Sequence, residues 1–177
     1  SDLVYNRVLD PTSKRSAFKM AQDFLEPPAY GLHDVYRALS ILAKESGLIQ
    51  ADCYKNSSFL YNRDSRILYY DCSNFYFEIE QEDGKKKYGK SKEHRPNPIV
   101  QMGLFMDRDG IPLAFSVFPG NENEQPSLKP LETKVIQQMG CDKFIYCSDA
   151  GLASQANRKF NHTADRSFIV TQSIRKL

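Results

Sequence analysis

Apolar positions change their period once along this chain, near residue 66. Before that point they recur at helical spacing; from Ile67 onward they alternate or bunch into short runs. TSKRSAFKMAQDFLEPP predicts a helix capped by Thr12 or Ser13, with a stripe of Ala17, Phe18, Ala21, Phe24 and Leu25 and a stop at Pro27 and Pro28. GLHDVYRALSILAKESG puts Leu32, Val35, Tyr36, Leu39, Leu42 and Ala43 on one face, with Gly47 as its stop. LIQADCYKNSSFLYNRDS predicts a third, weaker helix.

The run from Ile67 to Glu80 is rich in Tyr, Phe and Ile and predicts a long strand, with Phe75, Phe77 and Ile79 opposite Tyr76, Glu78 and Glu80. Residues 82–98 predict a polar loop. IVQMGLFMDRDGIPLAFSVFPGN then predicts two strands joined at Asp107, Arg108, Asp109 and Gly110, a strong hairpin signal. Residues 123–140 predict a helix with Leu128, Leu131, Val135, Ile136 and Met139 on one side, Pro126 and Pro130 confined to its first turn, and Gly140 at its end. KFIYCSDAG predicts a short buried strand, GLASQANRKFNH a short helix, and SFIVTQSI a last strand. The order βββαβαβ therefore follows a helical stretch, and the expected class is α/β: a helical N-terminal region over residues 1–62 and a mixed-sheet core over residues 63–177.

Composition changes this picture little. With 177 residues, 41% hydrophobic and 26% charged, the chain can bury a full core plus a smaller appended unit. A formal net charge of +2 is too mild to indicate nucleic acid by itself, so an electrostatic case must come from local clustering. No apolar stretch approaches the roughly 20 residues that span a bilayer, and SDLVYNRVLD lacks the layout of a secretory signal, so a cytoplasmic setting is expected. Cys53, Cys72, Cys141 and Cys147 form no CxxC pair and no Cys/His quartet; they are expected as reduced, mostly buried thiols. The chain starts without Met and stops just after a strand-like run, which gives the expectation of a piece of something longer.

Candidate chemistry sits in three places. Asp71 in RILYYDCSNFYFEIE and Asp149 in KFIYCSDAGL each end an apolar run read as a buried strand. An unpaired carboxylate costs several kcal/mol to bury, so two such strands suggest one shared divalent cation. Either Asp has a plainer use, capping a turn or the following helix, and that use suits Asp149 better than Asp71. The second place is the loop carrying Lys85, Lys86, Lys87, Lys90, Lys92, His94 and Arg95, which suits a phosphate backbone, although Glu78, Glu80, Glu82 and Asp83 just before it offset part of the charge. The third is Gly84-Lys-Lys-Lys-Tyr-Gly89-Lys90-Ser91, a literal GxxxxGK[ST]. It is rejected as a nucleotide loop, because the prolines of KEHRPNP forbid the helix whose N-terminal amides would face phosphates.

Beyond these residues the chain shows a likeness. YYDCSNFYFE, YGKSKEHRPNPIVQMGLFMDRDGIPLAFSVFPGNENE and YCSDAGLAS look like the catalytic core of bacterial insertion-sequence transposases of the IS four type, and the order of elements resembles the ribonuclease H-like fold of DDE transposases and retroviral integrases. The similarity covers about residues 60–177, and residues 1–60 match only by position the helical region such enzymes place ahead of the core. The resemblance implies two catalytic, metal-binding aspartates, Asp71 bridging two Mg²⁺ (or Mn²⁺) ions and Asp149 binding one, with hydrolysis and strand transfer at insertion-sequence ends. It implies double-stranded DNA, both transposon ends and target, as partner, a homodimer assembled on DNA, and action in the bacterial cytoplasm at the nucleoid. Nucleotide and membrane are not expected as partners. Lys85, Lys86, Lys87, Lys90, Lys92, His94 and Arg95 become the DNA contacts.

The family's third acid lies on a helix beyond the fifth strand, past Leu177, so the fragment is expected to be inactive. Glu122, Glu124 and Glu132 are substitutes that the spacing does not rank, although Glu132 falls roughly where true ribonucleases H carry an extra acid. Two alternatives stand beside the transposase reading: a DNA-binding or dimerising piece without chemistry, and a self-contained nuclease of the ribonuclease H type.

Overall fold

A computed structural model describes residues 1–172. Two compact units divide after Ile49, within a helix. In the first, α1 (Asp2–Leu9), α2 (Lys14–Ala21) and α3 (Leu32–Lys44) bury Ala17, Ala21 and Val35. Ser13 caps α2 by accepting the Ser16 amide at 3.1 Å. That helix stops at Ala21, so Phe24 and Leu25 fall outside its stripe and Leu25 is fully exposed. Gly47 does not end α3 as expected: the break comes at Glu45, and α4 (Ser46–Leu60) begins at once with Gly47 inside it.

The second unit is built on a five-stranded sheet of β1 (Ile67–Tyr76), β2 (Ile99–Met106), β3 (Pro112–Pro119), β4 (Phe144–Ser148) and β5 (Arg166–Val170). The order across the sheet is β3-β2-β1-β4-β5, antiparallel from β1 to β3 and parallel from β1 through β4 to β5. That is the mixed sheet of the ribonuclease H-like fold, and the βββαβαβ order is the expected one. β1 ends at Tyr76, four residues short of expectation: the Phe77 amide still bonds the Pro98 carbonyl in the ladder's register, but Pro98 has no N–H to return a bond. Ser173 and Ile174 of the expected last strand lie outside the described residues.

One face of this sheet carries the core. Leu68, Tyr70 and Cys72 of β1 turn toward Leu128, Leu131 and Val135 of α5 (Leu128–Met139) and Leu152, while Tyr69, Asp71, Ser73 and Phe75 take the opposite phase. Gly140, at φ 69°, ends α5 in the left-handed conformation that favours glycine. The β2–β3 turn is fixed by Asp107, which is fully buried; its Oδ1 accepts hydrogen bonds from the Asp109 and Ile111 amides and its Oδ2 accepts one from Arg63 Nε at 2.5 Å. Arg63 also donates to Ser57 Oγ and to the Ile111 and Pro112 carbonyls, joining the end of α4 to the hairpin.

All four cysteines are free, Cys72 and Cys141 buried, Cys147 half-buried and Cys53 exposed. Among the described residues no helix is long and apolar enough to cross a membrane.

Candidate nucleic-acid and metal site

The register of β1 against β4 runs toward Asp71 and Asp149. β1 and β4 pair Ile67 with Ile145, Leu68 with Tyr146 and Tyr69 with Cys147, an offset of 78 at each step. Continued two residues past the last pair, the same offset matches Asp149, one residue past β4, to Asp71 on the neighbouring strand.

Neither carboxylate is buried, which corrects the expectation that these strands carry charge into a core. β1 packs on one face only, and Asp71 occupies the outward phase with a side chain 68% exposed. Its Oδ1 accepts the Cys72 amide at 2.8 Å. Asp149 lies in the turn after β4, exposed, and accepts the Leu152 amide at 3.1 Å, so the turn-capping use is real for this residue. No desolvation cost therefore forces a cation between them.

The basic loop divides in two. Lys86 pairs with Asp83 at 2.7 Å and Lys87 with Glu82 at 3.1 Å, and Lys85 donates to the Val117 carbonyl. Arg95 lies over the Tyr76 ring, 3.8 Å from Glu93. Lys90, Lys92 and His94 instead line a cavity of about 690 Å³. Lys92 donates to the Cys72 carbonyl and stands 3.9 Å from Asp71, tying the loop to β1 beside the acid. His94 holds φ 55°, a left-handed conformation rare outside glycine, and its backbone is thereby strained where it lines the cavity. Residues 91–98 form turns rather than a helix, and Gly89 has a packing reason: a Cβ there would meet the Gly120 carbonyl oxygen at 1.9 Å.

The opposite wall comes from residues 120–125. Gln101 is buried in β2 and its Nε2 donates to the Pro119, Gly120 and Glu122 carbonyls, fixing the start of this loop. Gln125 donates to the Gly151 carbonyl and Asn157 to the Gln125 and Leu152 carbonyls, which fastens the other end to the turn after Asp149. Burial pushes the Glu124 carboxyl above the ordinary glutamate range; the Asp71 and Asp149 charges add to this, while Lys92 and Lys90 pull it back. Glu132 is elsewhere, on the buried side of α5 against Asn161 and Arg166.

Sequence reasoning missed Gln101 and Ser91. Gln101 had a signal, since it is polar in the inward phase of Ile99, Gln101, Gly103 and Phe105. Ser91 had none; it is 7% exposed, lines the cavity, and its Oγ has no hydrogen-bond partner among the described residues.

Hard carboxylate oxygens are the donors Mg²⁺ and Mn²⁺ take, and Mg²⁺ commonly uses one or two carboxylates and keeps several waters. Asp71 and Asp149 fit that pattern. Among the described residues no three His, Cys, Asp or Glu side chains are gathered closely enough to hold an ion.

No family model and no curated protein matches this chain. Two solved structures align with it: the Mos1 transposase paired-end complex with left transposon end, at 14% identity and TM-score 0.40 over 95% of this chain and 56% of that one, and the Mos1 mariner paired-end complex with Mn, at 14% identity and TM-score 0.37 over 95% and 54%. The chain thus spans about half the length of those it aligns with. So distant a likeness transfers no activity or partner, and the fold rests on the strand order itself.

Proposed function

We propose that this chain is the N-terminal and core part of a DDE-type DNA transposase of a bacterial insertion sequence, acting on duplex DNA at transposon ends and target. The observation that supports the reading is the β1–β4 register, whose offset of 78 matches Asp71 to Asp149, together with Lys92, which lies 3.9 Å from Asp71 and walls a cavity with Lys90 and His94. Asp71 and Asp149 would hold the Mg²⁺ or Mn²⁺, which when bound would supply the Lewis acidity that activates a water or a DNA 3′-hydroxyl and stabilises the leaving oxygen. Lys90, Lys92 and His94 bind the phosphates entering the cavity, and Lys92, anchored on the Cys72 carbonyl, sets the distance between backbone and acids. Lys85, Lys86, Lys87 and Arg95 form the outer part of the DNA surface. The helical region over residues 1–62 serves end binding or dimer contact on DNA, and the protein works in the bacterial cytoplasm at the nucleoid.

A second reading, a DNA-binding module without chemistry, is favoured by the lack of three converging ligand side chains among the described residues. Mn²⁺ titration with duplex DNA present separates the two. The transposase reading requires Mn²⁺ binding that Asp71→Asn abolishes. DNA binding with no specific Mn²⁺ site would leave the second reading standing and sink the first.

A further inference from the structure

The structure singles out one glutamate of the three that the spacing left unranked. We propose that Glu124 is a third carboxylate of the site, turned toward the cation held by Asp71 and Asp149 and acting through its water shell. The inference rests on the metal-dependent reading above and deepens it.

Three observations carry it. Glu124 is half-buried and lines the cavity with Lys92, which stands 3.9 Å from Asp71, and with Gly151, two residues past Asp149, whereas Glu122 on the same wall is exposed and Glu132 is sealed in the core. Its backbone is locked: the Glu124 carbonyl accepts Ser127 Oγ at 2.5 Å and the Ser127 amide at 3.1 Å, and Gln125 is fastened to the Gly151 carbonyl in the turn that Asp149 opens. Glu124 also shares its cavity with Ser91, nine-tenths buried, whose Oγ has no hydrogen-bond partner among the described residues. A buried hydroxyl without a partner is costly unless water or a ligand completes it.

Because the carboxylates do not converge on a single point, a direct third bond to one ion is not the geometry. A hydrated Mg²⁺ keeps several waters, and a carboxylate on the far wall can accept hydrogen bonds from them. Glu124 also faces Lys90 and Lys92, so the cavity offers negative charge toward the cation and positive charge toward a phosphate.

The test is Mn²⁺ affinity by electron paramagnetic resonance on the whole chain, for the wild type, Asp71→Asn, Glu124→Gln, Glu124→Asp and Glu122→Gln. Expected are loss of the site in Asp71→Asn, weakening of about tenfold in Glu124→Gln, a smaller loss in Glu124→Asp, and wild-type affinity in Glu122→Gln. Wild-type affinity in Glu124→Gln, with Asp71→Asn still dead, overturns the assignment of Glu124 and leaves the aspartate pair intact. A wild type that binds no Mn²⁺ overturns both readings. Should circular dichroism show Glu124→Gln unfolded, Glu124→Asp decides alone: weakened binding supports the role and unchanged binding removes it.

Discussion

Glu132 offers the sharpest quantitative prediction. It is fully buried on α5, with Oε2 accepting Asn161 Nδ2 at 2.8 Å and Oε1 3.4 Å from Arg166 Nε. Burial nonetheless dominates and pushes its carboxyl up to about 7, against the downward pull of Asn161, Arg166 and Lys129. Below its ordinary value of 4.5 both folded and unfolded chains hold the proton. Between there and about 7 the unfolded chain has released it and the folded chain has not, so stability falls as pH rises through this window and is flat above it. At roughly 1.36 kcal/mol per pH unit, the window amounts to about 3 kcal/mol. Glu132→Gln removes the titration while keeping shape. Its stability relative to wild type should therefore climb by about 3 kcal/mol between pH 4.5 and 7.5, other titrating groups cancelling in the difference. Urea unfolding followed by far-UV circular dichroism at four or five pH values gives that difference directly. A flat difference, or one that falls with pH, would refute the claim that desolvation outweighs the Arg166 ion pair.

The remaining predictions concern the hairpin anchor, the loop contact and the basic wall. Arg63→Ala leaves Asp107 buried without its cation and should cost about 3–5 kcal/mol, read by urea unfolding at pH 7; a loss below about 1 kcal/mol would mean that the backbone amides alone hold Asp107. Gly120→Ala puts a Cβ 2.2 Å from the Ile99 carbonyl oxygen and 2.5 Å from that of Lys87, and thermal melting should show a loss of about 1–3 kcal/mol. Lys90→Ala and Lys92→Ala should each weaken duplex binding regardless of sequence and flatten its salt slope by about 1. Lys86→Ala, whose charge is already spent on Asp83, should stay within about twofold of wild type in the same titration.

The chain's local chemistry was legible before the fold. Strand alternation, the Asp107–Gly110 turn and Gly140 after an apolar stripe are short-range signals, and they determined the βββαβαβ order and the α/β class. The charge of the 85–95 loop and the two aspartates were legible too, because residue type and strand ends are written in the sequence. Tertiary structure decided the rest. Only the sheet could tell that Asp71 faces outward, since a run of Tyr, Phe and Ile gives the same pattern whether one face packs or two. Gly47 as a helix stop failed because the next helix starts immediately, and a glycine's conformational freedom does not oblige it to be used. Which lysines face the cavity depended on pairing with Glu82 and Asp83 across a folded loop. Glu124 gained its distinction from Glu122 and Glu132 in the same way: the three are equivalent in spacing, and only the packing of residues 120–125 against the turn after Asp149 leaves Glu124 half-buried in the cavity wall, with Glu122 exposed and Glu132 sealed in the core.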